Sequence, residues 1–229
     1  MISVLLQCYS KEDMLDLCFP TWLTQEGVDY EIVLGVGPDI KIPQVPNRDN
    51  FKGITIVQLP DFKYCRNYNM ILAAAKGETL LITYCDMQIN NPLQLKVMYD
   101  NWTEFTIVTD RVFRNGKRNY GTYLDLTMVS REQVMKVGGW CELYDNPDSY
   151  AHEDGDMIAS LLENCLTFKF LETEESKAVY HICHPAPNMN EPVMQARHKM
   201  GKAIFFSRHK EGIMALYAKQ ILGRRLQRI

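Results

Sequence analysis

The sequence has no C-x-x-C pair, no internal repeat, no low-complexity tract and no convincing linker. Its seven cysteines are an odd number without disulfide-like spacing, which argues for a reduced, cytosolic setting over a secreted one. No stretch approaches the roughly 20 apolar residues of a membrane-spanning helix, so the chain is expected to be soluble. The opening MISVLLQCYSKED has no basic n-region, and its apolar run is too short for a signal peptide; it reads as a first strand. An excess of one charge is also missing. A formal net charge of −3 and a pI near 6 supply no global field for nucleic acid or an anionic membrane. At 229 residues and 46% hydrophobic, the chain is expected to be one domain, or a large domain with an appendage, long enough to bury a substantial core.

What is present is an alternation of short apolar runs and helical segments. Ile2 to Gln7, Tyr30 to Val36 and Ile54 to Leu59 read as strands. Tyr64 to Pro92 then holds a helix, a predicted left-handed terminator at Gly77, and the uncharged run TLLITY, which suits a strand buried on both faces. This β-α-β order predicts a mostly parallel central sheet flanked by helices. A helix from Pro92, strands at 105–108, 122–129, 168–171 and 178–183, and a hairpin-like Asn115-Gly116 follow. From Glu191 the pattern is helical and increasingly basic.

Polar groups gather where these elements end. Asp86 arrives as TLLITY finishes, at the strand edge where open α/β sheets bind ligands; the plainer reading is a turn aspartate. Glu153, Asp154 and Asp156 open a helix, where carboxylates are favoured by unpaired N–H groups. Three acids in four residues exceed what capping needs. His181 and His184 close a strand and read as structural; a zinc site would need a second cluster that the sequence lacks. Arg66, taken alone, reads as the partner of a surface acid.

Together these segments resemble a known family. RNYNMILAAAKGETLLITYCD is similar to the segment of glycosyltransferase family 2 and its GT-A-fold relatives in which Arg-Asn opens a helix and the next strand delivers an Asp-x-Asp motif. GGW followed by HEDGDM resembles the paired motifs of galactosyltransferase-like members, and YHICHP resembles their late metal-binding histidine. The resemblance spans roughly residues 2 to 185. It implies a GT-A-type, Rossmann-like α/β domain over 1–185, with a nucleotide-sugar half to about 92 and an acceptor half from 93. Residues 186–229 would form a helical C-terminal extension.

The resemblance also implies roles. Tyr9 would lie beside the nucleotide base, with Arg66, Asn69, Asp86 and Gln88 around the donor. Asp154 would be the general base of an inverting transfer, with Glu153 beside it. Asp86, His181 and His184 would hold Mn²⁺ or Mg²⁺, and Trp140 and Asp156 would face the acceptor. A divalent cation suits a diphosphate leaving group, because hard oxygen ligands and a Lewis acid spread its charge. A carboxylate suits the acceptor hydroxyl, which is a poor nucleophile until its proton is taken.

Two departures stand out. The motif reads Asp86-Met87-Gln88, with an amide in place of the second carboxylate. The second strand ends Leu34-Gly35-Val36-Gly37, without the aspartate that contacts the base, although UDP-sugars remain the favoured donors. The acceptor is expected to be a glycan, a lipid-linked or another hydroxyl compound, with nucleic acid disfavoured by the acidic balance. Two other classes compete. A catalytically silent nucleotide-sugar-binding relative is kept open by Gln88. A nucleotidyltransferase would carry a Gly-rich basic loop where this chain has QCYSKED. The C-terminal GIMALYAKQILGRRLQRI is expected to be a helix packed on the domain, with membrane-surface contact of its basic end as the alternative, so the expected location is cytoplasmic with membrane association open.

Overall fold

The computed structural model describes residues 1–10, 12–42, 44–45, 48–110, 112–114, 117–119, 124–149, 151–164, 166–171, 179–182, 190–212 and 215–216. His184, Asn115-Gly116 and nearly all of the last expected helix therefore lie outside the described residues. In chain order the elements are β1 (Ile2–Cys8), α1 (Glu12–Trp22), β2 (Tyr30–Val36), β3 (Phe51–Gln58), α2 (Tyr64–Ala74), β4 (Thr79–Thr83), β5 (Met87–Ile89) and α3 (Gln94–Asp100). Then come β6 (Thr106–Thr109), β7 (Val112–Arg114), β8 (Lys117–Asn119), β9 (Leu126–Ser130), α4 (Arg131–Lys136), a 3-10 turn (Glu142–Asp145), α5 (Glu153–Glu163), β10 (Thr167–Phe170), β11 (Val179–His181) and α6 (Pro192–Arg208).

Seven strands form the central sheet in the order β10-β6-β9-β4-β1-β2-β3. β1 runs parallel to β2 and β4, β2 to β3 and β10 to β6, while β9 is antiparallel to both of its neighbours. Every residue of β1, β2 and β4 is buried, the result of helices on both faces. Alternation sorts the side chains between them. Val4, Leu6, Ile32 and Leu34 pack with Leu15, Phe19 and Trp22 of α1, whereas Leu5, Val33, Leu80 and Ile82 pack with Tyr68 and Ile71 of α2 and Met157 and Ile158 of α5. Truncating one of these fully buried leucines, such as Leu5, to alanine removes about 2–5 kcal/mol.

A second sheet, ordered β5-β11-β7-β8, begins where the first ends. β4 stops at Thr83 and β5 starts at Met87, so Asp86 occupies the corner where the chain leaves one sheet for the other. No strand is expected from the sequence at Met87–Ile89, where Asp86 alone reads as a possible turn residue. The segment is a three-residue strand because β11 pairs with it antiparallel, in the register His181↔Met87 and Tyr180↔Gln88.

Two glycines are required by close approach. A Cβ on Gly37 would lie 2.1 Å from the carbonyl oxygen of Tyr9, so only glycine lets the ends of β1 and β2 meet. Gly77 was expected to have a left-handed backbone, but among the described residues the glycines with positive φ are Gly27, Gly53, Gly138 and Gly139. Gly77 is instead pressed against β1: a Cβ there would sit 2.7 Å from Met1 O and Ser3 N, and its N–H donates to Ser3 Oγ at 2.7 Å. The chain moves outward from β1 to β2 and β3, then α2 carries it back to β4 on the other side of β1. The carboxyl ends of β1 and β4 thereby border the topological switch point, where α/β sheets open a ligand crevice.

Candidate active site

Asp86 and His181 meet at this edge. The β5–β11 register sets His181 against the start of β5, bringing its Nε2 within 3.5 Å of Asp86 Oδ2, and Ile182 N–H donates to the Asp86 carbonyl at 2.8 Å. Asp86 is 2% exposed. Among the described residues no three His, Cys, Asp or Glu side chains are grouped to hold a metal ion by themselves. One carboxylate and one imidazole, both nearly buried, are a donor pair that fits a divalent cation whose other positions are filled by diphosphate oxygens and water.

The second focus is Asp154, in the first turn of α5. Tyr64, the first residue of α2, donates its hydroxyl to Oδ1 at 2.8 Å, and Tyr84, just past β4, donates to Oδ2 at 2.7 Å. The two phenol oxygens are themselves 2.9 Å apart. Burial first, and then the charge of Asp154, holds both hydroxyls well above the ordinary tyrosine range. They therefore stay protonated as donors and aim the carboxylate. Tyr84 stands two residues before Asp86, so α5 and the end of β4 are joined at one place.

The backbone entering α5 is strained. Ala151 and His152 take positive φ values of 63° and 77°, a left-handed pair of non-glycine residues directly before Glu153. Each costs on the order of 1–2 kcal/mol, and such outliers concentrate at functional sites. Glu153 has its carboxyl pushed up to about 7, by burial first, then by the charge of Asp154 and, more weakly, that of Asp145. One of two adjacent acids is thus poised to exchange a proton near neutral pH.

Arg66 and Asn69 are placed by α2. Arg66 pairs with Asp61, which makes the plainer reading part of its role, and it also lines a cleft of about 380 Å³ with Lys63, Glu142, Leu143 and Asp145. Asp145 caps α2, accepting from the Cys65 and Arg66 N–H groups at 2.9 and 2.8 Å. Asn69, expected at the donor, spends its amide on the protein: its Nδ2 donates to Trp140 O and Glu142 Oε1, both at 2.9 Å, and its Oδ1 accepts from Trp140 N at 2.8 Å. It holds the Gly-Gly-Trp turn in place.

Trp140 and Asp156, expected to face the acceptor, are both buried. Trp140 is 2% exposed and stacks on Tyr68 with ring centroids 4.8 Å apart. Asp156, equally buried, accepts from Arg208 Nε at 2.7 Å and lies 3.0 Å from His209 Nε2, so it anchors the end of α6. Gln88 is half-buried in β5, and His184 falls outside the described residues. Tyr9 follows β1 directly, with its ring 5.6 Å from that of Phe62.

Sequence reasoning missed Tyr64, Tyr84, Phe62 and Asp145. A signal for Tyr84 was there: a phenol ending a buried strand must find a polar partner. Phe62, exposed in the loop before α2, stood in the segment leading to Arg66. Nothing in the sequence pointed from Asp145 to the start of α2.

A seven-stranded mostly parallel sheet, a small second sheet at its switch point and polar side chains gathered between them make up the GT-A-like glycosyltransferase fold. Solved structures similar to it include S. aureus TarS 1–349 in complex with UDP-GlcNAc, with a TM-score of 0.65 at 12% identity over 96% of this chain and 71% of that one. Another is the mannosyltransferase PcManGT from Pyrobaculum calidifontis in complex with GDP-Man and Mn²⁺, with a TM-score of 0.54 at 12% identity over 100% of this chain and 80% of that one. A longer TarS structure aligns with a TM-score of 0.61 at 14% identity over 91% of this chain, which spans only 43% of TarS there. No protein-family model matches the sequence, and neither does any curated protein.

Proposed function

We propose that the protein is an inverting glycosyltransferase that moves a hexosyl group from a nucleotide sugar to an acceptor hydroxyl. The observation that carries this reading is Asp154, held by two tyrosine hydroxyls beside the strand that delivers Asp86. The acceptor oxygen attacks the anomeric carbon as Asp154 takes its proton, and the bond to the diphosphate breaks with its electron pair leaving on the diphosphate. Attack from the face opposite the leaving group inverts the configuration. Proton removal of this kind is worth about two to four powers of ten in rate.

Tyr9 and Phe62 offer aromatic surface for the base at the end of β1, with UDP as the favoured nucleotide. A bound Mn²⁺ or Mg²⁺ would be held by Asp86 and His181 and would stabilise the charge of the departing diphosphate. The acceptor, a glycan, lipid-linked or other hydroxyl compound, would approach over the loop from Cys141 to Ser149. A silent donor-binding protein is the second reading, favoured by the amide of Gln88 in place of a carboxylate.

NMR of the product tests the transfer. The new glycosidic bond should have the anomeric configuration opposite to that of the donor, and a retained configuration refutes a single displacement on Asp154. Binding without turnover of any nucleotide sugar, seen as a thermal shift with UDP, GDP or dTDP, favours the second reading.

A further inference from the structure

The outer face of α6 carries an apolar stripe in the open. Val193, Ala196, Met200 and Ala203, spaced i, i+3, i+7, i+10, form a single stripe that is exposed throughout, and Phe206 extends it. Val193, Met200 and Phe206 are 54%, 44% and 51% exposed, too much apolar surface for a helix whose other side already packs on the domain. That inner side is firmly held: Met194, Gly201 and Phe205 are buried, and Arg208 and His209 are tied to Asp156. The stripe is therefore presented to the outside on a fixed support.

Cations border it. Lys199 and Lys202 lie along one side and Arg197 along the other, and no acid occurs between Pro192 and Lys210. Residues 192–229 hold 9 of the 25 Lys and Arg of the chain but 1 of its 28 Asp and Glu. The near-neutral whole is thus a strongly acidic body joined to a basic end with net charge +8. The remaining C-terminal sequence is also cationic, so charge repulsion disfavours it as a cover for α6.

We infer that the outer face of α6 docks on an anionic lipid surface, with Val193, Met200 and Phe206 entering the headgroup boundary and the flanking Lys199, Lys202 and Arg197 meeting lipid phosphates. An apolar stripe edged by Lys and Arg on a helix lying flat is the pattern that binds such interfaces. The acidic body then faces away from the membrane, which fixes the orientation. His152, just ahead of Glu153, has its ring 4.7 Å from that of His198 on α6, so the inner side of α6, opposite the docked face, packs against the entry to α5. The contact stands independently of the transfer reaction.

Flotation of the full chain with vesicles tests it. The protein should float with vesicles containing phosphatidylglycerol and stay behind with vesicles of phosphatidylcholine alone. Each cation near the surface is worth roughly fivefold. The double variant Lys199→Glu, Lys202→Glu should therefore bind at least about tenfold more weakly, and Met200→Ser, Phe206→Ser should also lose binding, both with unchanged circular dichroism and unfolding midpoint. Absence of flotation with anionic vesicles, equal flotation with neutral ones, or wild-type binding by both variants overturns the inference. So does a solution dimer that Met200→Ser, Phe206→Ser dissociates, or capture by polyaspartate or DNA without capture by vesicles.

Discussion

Tyr84 donates its hydroxyl to Oδ2 of Asp154 across 2.7 Å, joining residues 70 apart in sequence. The bond ties the start of α5 to the end of β4 and aims a carboxylate at the edge occupied by Asp86. Removing this donor, or its counterpart on Tyr64, leaves Asp154 less well held and a buried acceptor undersatisfied, which costs about 1–3 kcal/mol. Tyr84→Phe and Tyr64→Phe should each lower kcat at least about tenfold while changing the donor KM little, as steady-state kinetics will report.

Glu153 makes stability depend on pH with a definite sign. Its carboxyl, pushed up to about 7 by burial and then by Asp154, ionises near 4.3 in an unfolded chain. As pH rises from about 4.3 towards 7 the unfolded chain loses this proton first, so the folded state loses stability through that window and has lost it fully above 7. Glu153→Gln removes the penalty. In urea unfolding the variant should be more stable than wild type by about 1–3 kcal/mol at pH 8 and nearly equal to it at pH 4. An advantage that does not vary with pH contradicts this placement of Glu153.

The pairing of Asp86 with His181 predicts a response to metal. Chelation should suppress activity and Mn²⁺ should restore it. Asp86→Asn and His181→Ala should each raise the half-saturating Mn²⁺ concentration at least about tenfold, measured by titration of activity. Unchanged titration curves in both variants would remove these residues from the cation.

The turn at Gly139 predicts a stability effect away from the chemistry. Its φ is +71°, and a Cβ there would lie 2.5 Å from Asn69 Oδ1, the atom that accepts from Trp140 N. Gly139→Ala should destabilise the fold by about 1–3 kcal/mol in urea unfolding, from backbone strain together with a displaced hydrogen bond.

The central strands were readable because parallel strands covered on both faces become unbroken apolar runs, as TLLIT is in β4. The helix opened by Glu153 was readable from its acids and apolar spacing. β5 was not: three residues among polar neighbours have no periodicity, and only pairing with β11 makes them a strand. The tyrosine clamp was hidden for a similar reason, since Tyr84 and Asp154 share no local pattern and meet only when α5 packs on the sheet. The partners of Trp140 and Asp156 were equally hidden, because they lie far away in sequence. Here Asp156 is covered by Arg208 and His209 and Trp140 by Tyr68.

The proton-accepting role of Asp154 is the central claim, and turnover of nucleotide sugars by wild type and Asp154→Asn tests it most directly. The substitution keeps the size of the side chain and an acceptor for one tyrosine, so folding should be preserved while the base is lost. Wild type should cleave one of the UDP-, GDP- or dTDP-sugars, and Asp154→Asn should do so about two to four powers of ten more slowly with donor binding retained. Equal cleavage of every donor by the two proteins would contradict the account.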